Sequence, residues 1–430
     1  MRRVRSIFGL LAGVALSAPA VGMAASDGFA SGFYTRGVDA AAYMDQGDAV
    51  VDPFYVPAKT GALLPRVSLA VAHEDNVFLD PEDGQEGTTA TLAPGLLALW
   101  GRPAGNHVYA DYGASLPIYQ SEEDLDDEPS HLLRLGAVYR KPKSQLSGQF
   151  GFRRLEDLDT AVGARIAKRD LFADLNAEHR ISGKTSLGAL GRAERHEFES
   201  EGYVEYDRYY GAGRAYYRAT PKSEVFAQGG LGRDEPRKSI HSSSAADFCD
   251  LSLGVRGKQS PKFNSSGRVG YMWRTYDDGA REGYEHWIAS LRAESRPFGL
   301  TTFGAEVYAD VRPAVDADGF DAVDQGVVGR VSRRLFIERL RGNAAVTLGQ
   351  IDYSGGDGTA VAEDDAVYDG RSDDYWGFTL GVDWWARKHF SVGLAYSYAE
   401  RDGSQDAGSE AQEATSYEYG RWTLRASWNY

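Results

Sequence analysis

Alternation of apolar and polar positions is the dominant pattern in this chain. From Leu64 onward, segments of roughly 10–14 residues alternate in this way and are separated by breaks. In the segment around Trp376, one face carries only large apolar side chains as far as Trp384, whereas the other carries Thr379, Asp383 and glycines. A period of two along segments of this length predicts β-strands.

The breaks are of two kinds, and the two kinds alternate along the chain. Nine are longer and mostly acidic, eight are short and rich in Pro, Gly, Ser and Lys, and together they connect about eighteen strands. The long breaks are Asp80–Gly87, Gln120–Ser130, Glu156–Ala164, Glu197–Gly202, Asp234–Ala245, Asp277–Gly283, Pro313–Asp321, Ser354–Asp373 and Arg401–Thr415. The short ones are Gly101–Asn106, Lys141–Gln145, Ser182–Thr185, Pro221–Ser223, Ser260–Asn264, Pro297–Leu300, Glu338–Gly342 and Lys388–His389.

This alternation predicts an all-β fold, a transmembrane up-and-down antiparallel β-barrel over residues 63–430. Such barrels have an even number of strands, short periplasmic turns and long extracellular loops. A soluble sandwich would not need every second connection to be short, and a propeller would repeat a blade motif that this sequence lacks. The apolar face should meet lipid, and the mixed face should line a polar lumen.

Both ends of the chain are consistent with export to the outer membrane of a Gram-negative cell. Residues 1–25 combine N-terminal arginines, a short apolar core and small residues, which indicates a signal peptide. Residues 26–62 form a periplasmic N-terminal segment that is a disordered lead-in, enters the lumen or pairs with a partner. At the other end, Trp428 and Tyr430 close an alternating strand and resemble the signal that the barrel assembly machinery recognises.

Aromatic residues near the strand ends predict girdles at the two membrane interfaces. They are Trp100, Tyr109, Tyr119, Tyr139, Tyr209, Tyr217, Trp273, Trp384 and Tyr398.

The composition argues against several classes of function. The net charge of −15 argues against a nucleic-acid partner, because phosphate binding needs a basic face. A single cysteine, Cys249, rules out a multi-cysteine metal site, and no metal or cofactor is expected. No catalytic motif is found, so the chain is predicted not to be an enzyme. His179 could act with a lipid-facing serine, but a girdle or turn histidine is the simpler interpretation.

Two charge patterns remain. The outer loops are acidic and either are simply solvated or bind divalent cations beside lipopolysaccharide. Asp316–Asp321 resembles half of a calcium loop but lacks the distal Glu. The polar faces, in contrast, are rich in arginine, which forms either carboxylate-paired ladders or a net-basic lumen for anionic or hydroxyl-rich solutes. The candidate lumen-lining residues are Arg134, Arg153, Arg192, Arg214, Arg256, Arg268, Arg274, Arg292, Glu294, Glu306, Asp310, Arg330, Arg334, Asp383 and Arg425.

The opening of the barrel resembles a known family. A Pro and an alternating strand at Leu64–Ala72 precede Asp75 and Asn76-Val77-Phe78, and Thr91–Leu96 and a third strand ending at Tyr119 follow. These features are similar to the outer-membrane β-barrel family found beside exopolysaccharide-synthesis genes. The resemblance is specific over residues 63–119 and implies a role in polysaccharide export.

Three functions therefore stay open. The first is a conduit or accessory for exopolysaccharide export, with periplasmic export components as partners. The second is a diffusion porin for small solutes, with Ser354–Asp373 as the candidate constriction loop. The third is a structural or adhesive barrel that contacts lipopolysaccharide through its acidic loops.

Overall fold

The computed structural model describes most of the predicted barrel. It describes residues 61–77, 79, 84–102, 105–120, 129–159, 164–199, 203–238, 245–277, 283–314, 320–337, 339–355, 371–387, 389–404 and 416–429. The predicted signal peptide, residues 26–60 and Tyr430 lie outside this part of the chain. Within it, no helix is long and apolar enough to cross a membrane.

Eighteen antiparallel strands form one sheet, and each strand pairs with its neighbours in the chain. The first strand also pairs with the last, from Arg66 opposite Asn429 to Glu74 opposite Arg421, so the sheet closes on itself. The predicted closed barrel is confirmed. The strands are β1 Gly61–Glu74, β2 Gly87–Gly101, β3 His107–Tyr119, β4 Ser130–Arg140, β5 Ser144–Asp159, β6 Ala164–Arg180, β7 Thr185–Phe198, β8 Glu205–Thr220, β9 Ser223–Lys238, β10 Ala246–Ser260, β11 Phe263–Tyr276, β12 Tyr284–Ser295, β13 Thr301–Pro313, β14 Phe320–Arg334, β15 Leu340–Gly355, β16 Ser372–Arg387, β17 Phe390–Ser404 and β18 Tyr417–Asn429.

The period of two sorts side chains between the two faces of the wall, as the sequence predicts. Large apolar residues such as Leu135, Leu253 and Trp376 are exposed on the outer face. That face is the one a lipid bilayer would cover, so exposure of these residues is expected of a membrane barrel. Trp100, Tyr139 and Tyr209 of the predicted girdles lie on it, exposed.

Two of the predicted girdle residues lie on the inner face instead. Tyr109 and Tyr119 alternate with the exposed outer residues Val108 and Ile118 along β3. The Tyr109 hydroxyl donates to Gln149 Oε1 at 3.2 Å, a contact inside the barrel. Position near a strand end did not distinguish the two faces, whereas the register does.

Several strands run further than the sequence predicted. β5 continues to Asp159, β9 to Lys238 and β17 to Ser404, through residues that were assigned to loops. Charged pairs on the outer face occur at this end, including Arg233 with Glu235 of the β9 extension at 2.9 Å and Arg195 with Asp207 at 2.8 Å. Because hydrocarbon does not favour such pairs, the barrel wall projects beyond the bilayer at this end. We call it the loop end, and the end with the eight short connections the turn end.

Candidate pore and its constriction

Contacts between strands that are not neighbours identify the inner face. Arg256 on β10 lies 2.8 Å from Glu178 on β6, and Arg208 on β8 donates to the carbonyl oxygen of Val311 on β13 at 3.1 Å. A barrel wall is convex outward, so side chains can only make such contacts through the interior. The strand registers place all fifteen candidate lumen-lining residues on this same face.

Most of the candidate arginines are neutralised by a carboxylate. Arg134 lies 2.5 Å from Asp111, Arg192 lies 2.7 Å from Asp174, and Arg153 contacts Asp170. The remaining pairs are Arg256 with Glu178 and Glu224, Arg268 with Asp250, Arg274 with Asp234 and Asp321, Arg292 with Glu306, and Arg425 with Asp383. Arginine–carboxylate ion pairs thus connect neighbouring strands along much of the inner face. The sequence left open a net-basic lumen or carboxylate-paired arginine ladders, and a uniformly basic lumen does not describe this inner face.

One hairpin leaves the wall and turns into the lumen. β12 and β13 pair from Ser295 opposite Phe303 only as far as Ala289 opposite Ala309, although β12 begins at Tyr284 and β13 continues to Pro313. Beyond Ala309, β13 therefore separates from β12 while keeping its pairing with β14 up to Pro313. We call Asp310–Pro313 together with Phe320–Asp324 the inner hairpin.

Residues on β8, β9 and β11 hold the inner hairpin through ion pairs and a hydrogen bond. Arg208 forms a bidentate ion pair with Asp234, with N–O distances of 2.7 and 2.9 Å, and also donates a hydrogen bond to the Val311 carbonyl oxygen. Arg274 lies 2.5 Å from Asp234 and 2.8 Å from Asp321 of the hairpin. Asp321 also accepts a hydrogen bond from the Tyr276 hydroxyl. We call Arg208, Asp234, Arg274 and Asp321 the pinning cluster; its two cations and two anions balance.

Apolar packing supports the same position. Val311 and Val323 of the inner hairpin are fully buried against Phe248, Met272 and Ile288 on the inner face of β10 to β12. Burying aliphatic side chains of this size contributes about 1.5–3 kcal/mol each. The hairpin is therefore anchored by apolar contact as well as by charge.

The base of the hairpin is tied to β16. The Tyr375 hydroxyl donates to Asp324 Oδ1 at 2.9 Å and lies 2.5 Å from the Tyr308 hydroxyl. These three buried side chains come from β14, β16 and β13, so they join the strands from which the hairpin departs.

The sequence had assigned the constriction to Ser354–Asp373. Most of that segment lies outside the described residues, and its last residue, Asp373, is held in the wall by Arg371 and Arg401. Arg208 and Asp321 were not among the candidate lumen residues, and Asp321 was placed in a loop. No periodicity marks a strand that bends inward, so their role depends on contacts between distant strands.

Other candidate chemistry finds little support among the described residues. Ser144 Oγ lies 2.9 Å from His179 Nδ1 on the outer face, but within the described chain no carboxylate or amide is hydrogen-bonded to the other ring nitrogen. A serine–histidine pair without such an orienting group lacks the third member of a triad. No cluster of His, Cys, Asp and Glu in the described ranges could hold a metal ion, and Asp321 of the calcium-like stretch is committed to Arg274.

Comparison with known proteins decides the family. The sequence matches the family described as "Putative beta-barrel porin 2" over residues 60–417. The chain belongs to this porin family. Porins are channels of the outer membrane without enzymatic activity, so the predicted location and the predicted absence of catalysis are confirmed.

The fold is similar to solved structures from Pseudomonas aeruginosa. OccK2 (OpdF), solved in complex with glucuronate, is 12% identical, with a TM-score of 0.45 over 86% of this chain and 98% of that chain. OpdK, solved with vanillate, is 11% identical, with a TM-score of 0.44 over 86% and 99%. OpdQ is 11% identical, with a TM-score of 0.43 over 86% and 97%. No curated protein matches this chain.

Proposed function

We propose that this porin-family barrel is a diffusion channel for small solutes, narrowed at its loop end by the inner hairpin. The observation that carries the proposal is the pinned hairpin itself. A segment of wall that leaves its neighbour and is held inside the barrel by the pinning cluster narrows a lumen. A narrow, polar passage suits small hydrophilic solutes.

The exopolysaccharide conduit implied by the sequence resemblance has no such support. The family match favours a porin, and no contact among the described residues points to a periplasmic export partner. The structural or adhesive alternative depends on the acidic loops, which lie largely outside the described residues. We therefore retain the diffusion porin.

Conductance in planar lipid bilayers tests the proposal. The purified barrel should give steady single-channel currents without any partner protein. Proteoliposomes carrying it should swell in small sugars and progressively less in larger oligosaccharides. Channels that stay closed until periplasmic components are added would contradict the proposal and favour the conduit. Absence of current under all conditions would favour a structural barrel.

A further inference from the structure

Three arginines on the inner face lie close together along the chain at the turn end of β14 and β15. Arg330 and Arg334 lie on β14, and Arg341 lies on β15. In the part of the chain that the structure describes, none of them is within ion-pair distance of a carboxylate, and Arg330 and Arg334 are exposed. We call these three residues the turn-end arginines.

The register brings two of them face to face. Arg334 and Arg341 are direct partners across the β14–β15 ladder. Like charges at directly opposed positions destabilise a sheet. The nearest carboxylate in register is Asp383, opposite Arg341, but its oxygens are engaged by Asn343 at 2.6 Å and Arg425 at 3.5 Å. Asp383 is thus shared between Arg341 and Arg425, and Arg334 has no carboxylate as a direct cross-strand partner.

The surroundings of Arg330 leave space for a ligand. Its direct cross-strand partners are Gly304 on β13 and Ala345 on β15, so neither of these two positions carries a long side chain. Ser332, between Arg330 and Arg334 on the same face, adds a hydroxyl donor. Guanidinium forks with a hydroxyl between them match the oxygen atoms of carboxylates and phosphates.

The sequence around this site keeps the excess of positive charge. Residues 333–341 contain four arginines and one acidic residue, Glu338. The pinning cluster at the loop end, in contrast, is balanced. The turn end of β14 and β15 is therefore locally basic, whereas the pinning cluster is locally neutral.

We propose that the turn-end arginines form a binding site for small oxyanions with two negative charges, phosphate or a dicarboxylate, on their path through the channel. This inference deepens the proposed porin function and rests on it for the passage of the anion. Occupation of the site by a dianion would relieve the Arg334–Arg341 repulsion and supply the missing counter-charge.

Current block tests the site. In 1 M KCl, where the screening length is about 3 Å, only local charge matters. Inorganic phosphate or succinate should reduce the potassium chloride current of the wild-type channel in a concentration-dependent way, whereas the neutral analogue succinamide should not. The triple variant Arg330→Gln, Arg334→Gln, Arg341→Gln should need about tenfold more anion for half-block, a loss of about 1.4 kcal/mol.

A charge-matched control separates the site from a general field. Arg192→Gln, Arg268→Gln, Arg292→Gln removes the same charge from lumen arginines that have carboxylate partners. This variant should keep the wild-type half-block concentration. Equal block in both triple variants and the wild type, or equal block by succinamide, would overturn the inference. Heat-modifiable migration on gels verifies that each variant is folded.

Calorimetric titration of the detergent-purified barrel with phosphate distinguishes the two proposals. Suppose that the barrel conducts no ions but binds phosphate, and that the turn-end variant loses this binding. This result would refute the proposed channel and support the anion site. Conduction together with phosphate binding that the turn-end substitutions do not weaken would leave the channel standing and refute the site.

Discussion

At the scale of single residues, the inner face combines charge pairing with close packing. Arg274 is 3% exposed and Asp321 2%, so their charges depend on each other and on Asp234. A buried charge that loses its partner costs far more than an exposed one. Substitutions here should therefore affect both stability and the position of the inner hairpin.

Asp321→Asn should weaken the hold on the inner hairpin. Removal of its charge takes one of the two carboxylate partners from the buried Arg274, at a cost of about 3 kcal/mol. The free energy of unfolding, measured with urea in lipid vesicles, should fall, and single-channel current should become larger or noisier. Asp250→Asn is the control, because Asp250 is also buried and its hydrogen bonds and ion pair within the described strands are to the wall residues Tyr210, Ser252 and Arg268. It should lower stability without changing the current.

The buried ion pairs also determine what charge reversal of the lumen arginines would do. Changing Arg268, Arg274 and Arg292 to Glu would reverse ion selectivity if these arginines were unpaired. Arg274→Glu instead places three carboxylates together in a buried site, with Asp234 and Asp321. We expect that variant to misfold rather than to select cations.

Gly349 is a position where packing forbids a side chain. A Cβ there would overlap the ring of Tyr375, whose hydroxyl holds Asp324. Gly349→Ala should therefore reduce the free energy of unfolding by about 1–3 kcal/mol. Gly213→Ala is the matched control, since nothing lies within 4 Å of its Cβ position. A neutral result at both positions in urea titrations would contradict this account.

At the scale of elements, the inner hairpin departs from a regular barrel. β13 gives up its ladder with β12 beyond Ala309, and the Val311 amide turns to the side chain of Asp310 at 3.1 Å instead. Lost ladder bonds are costly in hydrocarbon. The departure lies toward the loop end, where charged pairs show that the wall has left the bilayer.

Removing Asp310–Asp324 and joining Ala309 to its β14 partner Gln325 with two glycines should widen the channel. This deletion removes the inner hairpin together with its contacts to the pinning cluster, so single-channel conductance should rise and larger sugars should enter proteoliposomes. Removing residues 239–244, between β9 and β10, is the control for loop shortening in general. If both deletions raise conductance equally, the hairpin is not the constriction.

At the scale of the whole molecule, closure of the barrel depends on β1 meeting β18. Trp428 lies on the outer face of β18, opposite Val67 of β1, whereas Tyr430 follows the described part of that strand. Their role as an assembly signal remains a prediction.

Trp428→Ala with Tyr430→Ala should lower the fraction of heat-modifiable barrel recovered from outer membranes. Loss of the terminal aromatic residues would slow recognition by the assembly machinery without removing any lumen contact. Trp422→Ala, which removes an exposed aromatic residue of the same outer face, should leave that fraction near the wild-type value. Equal losses in the two variants would indicate a general effect on membrane packing.

The sequence by itself determined the barrel, its strand number and the face on which each candidate residue lies. Those properties follow from the local period of two in hydrophobicity and from the alternation of long and short connections. Both patterns can be read directly from the sequence. Residues such as Arg153, Arg292 and Asp383 could therefore be assigned to the inner face without a structure.

Only the tertiary structure decided which charges are cancelled and where the lumen narrows. Arg268 and Arg334 look alike in the alternating pattern, yet one meets Asp250 and the other meets Arg341. Arg341 is not a candidate lumen residue in the sequence, because the sequence pattern assigns it to the turn 338–342. Pairing across strands and the inward bend of β13 depend on register and on contacts far apart in sequence, which a local period does not encode.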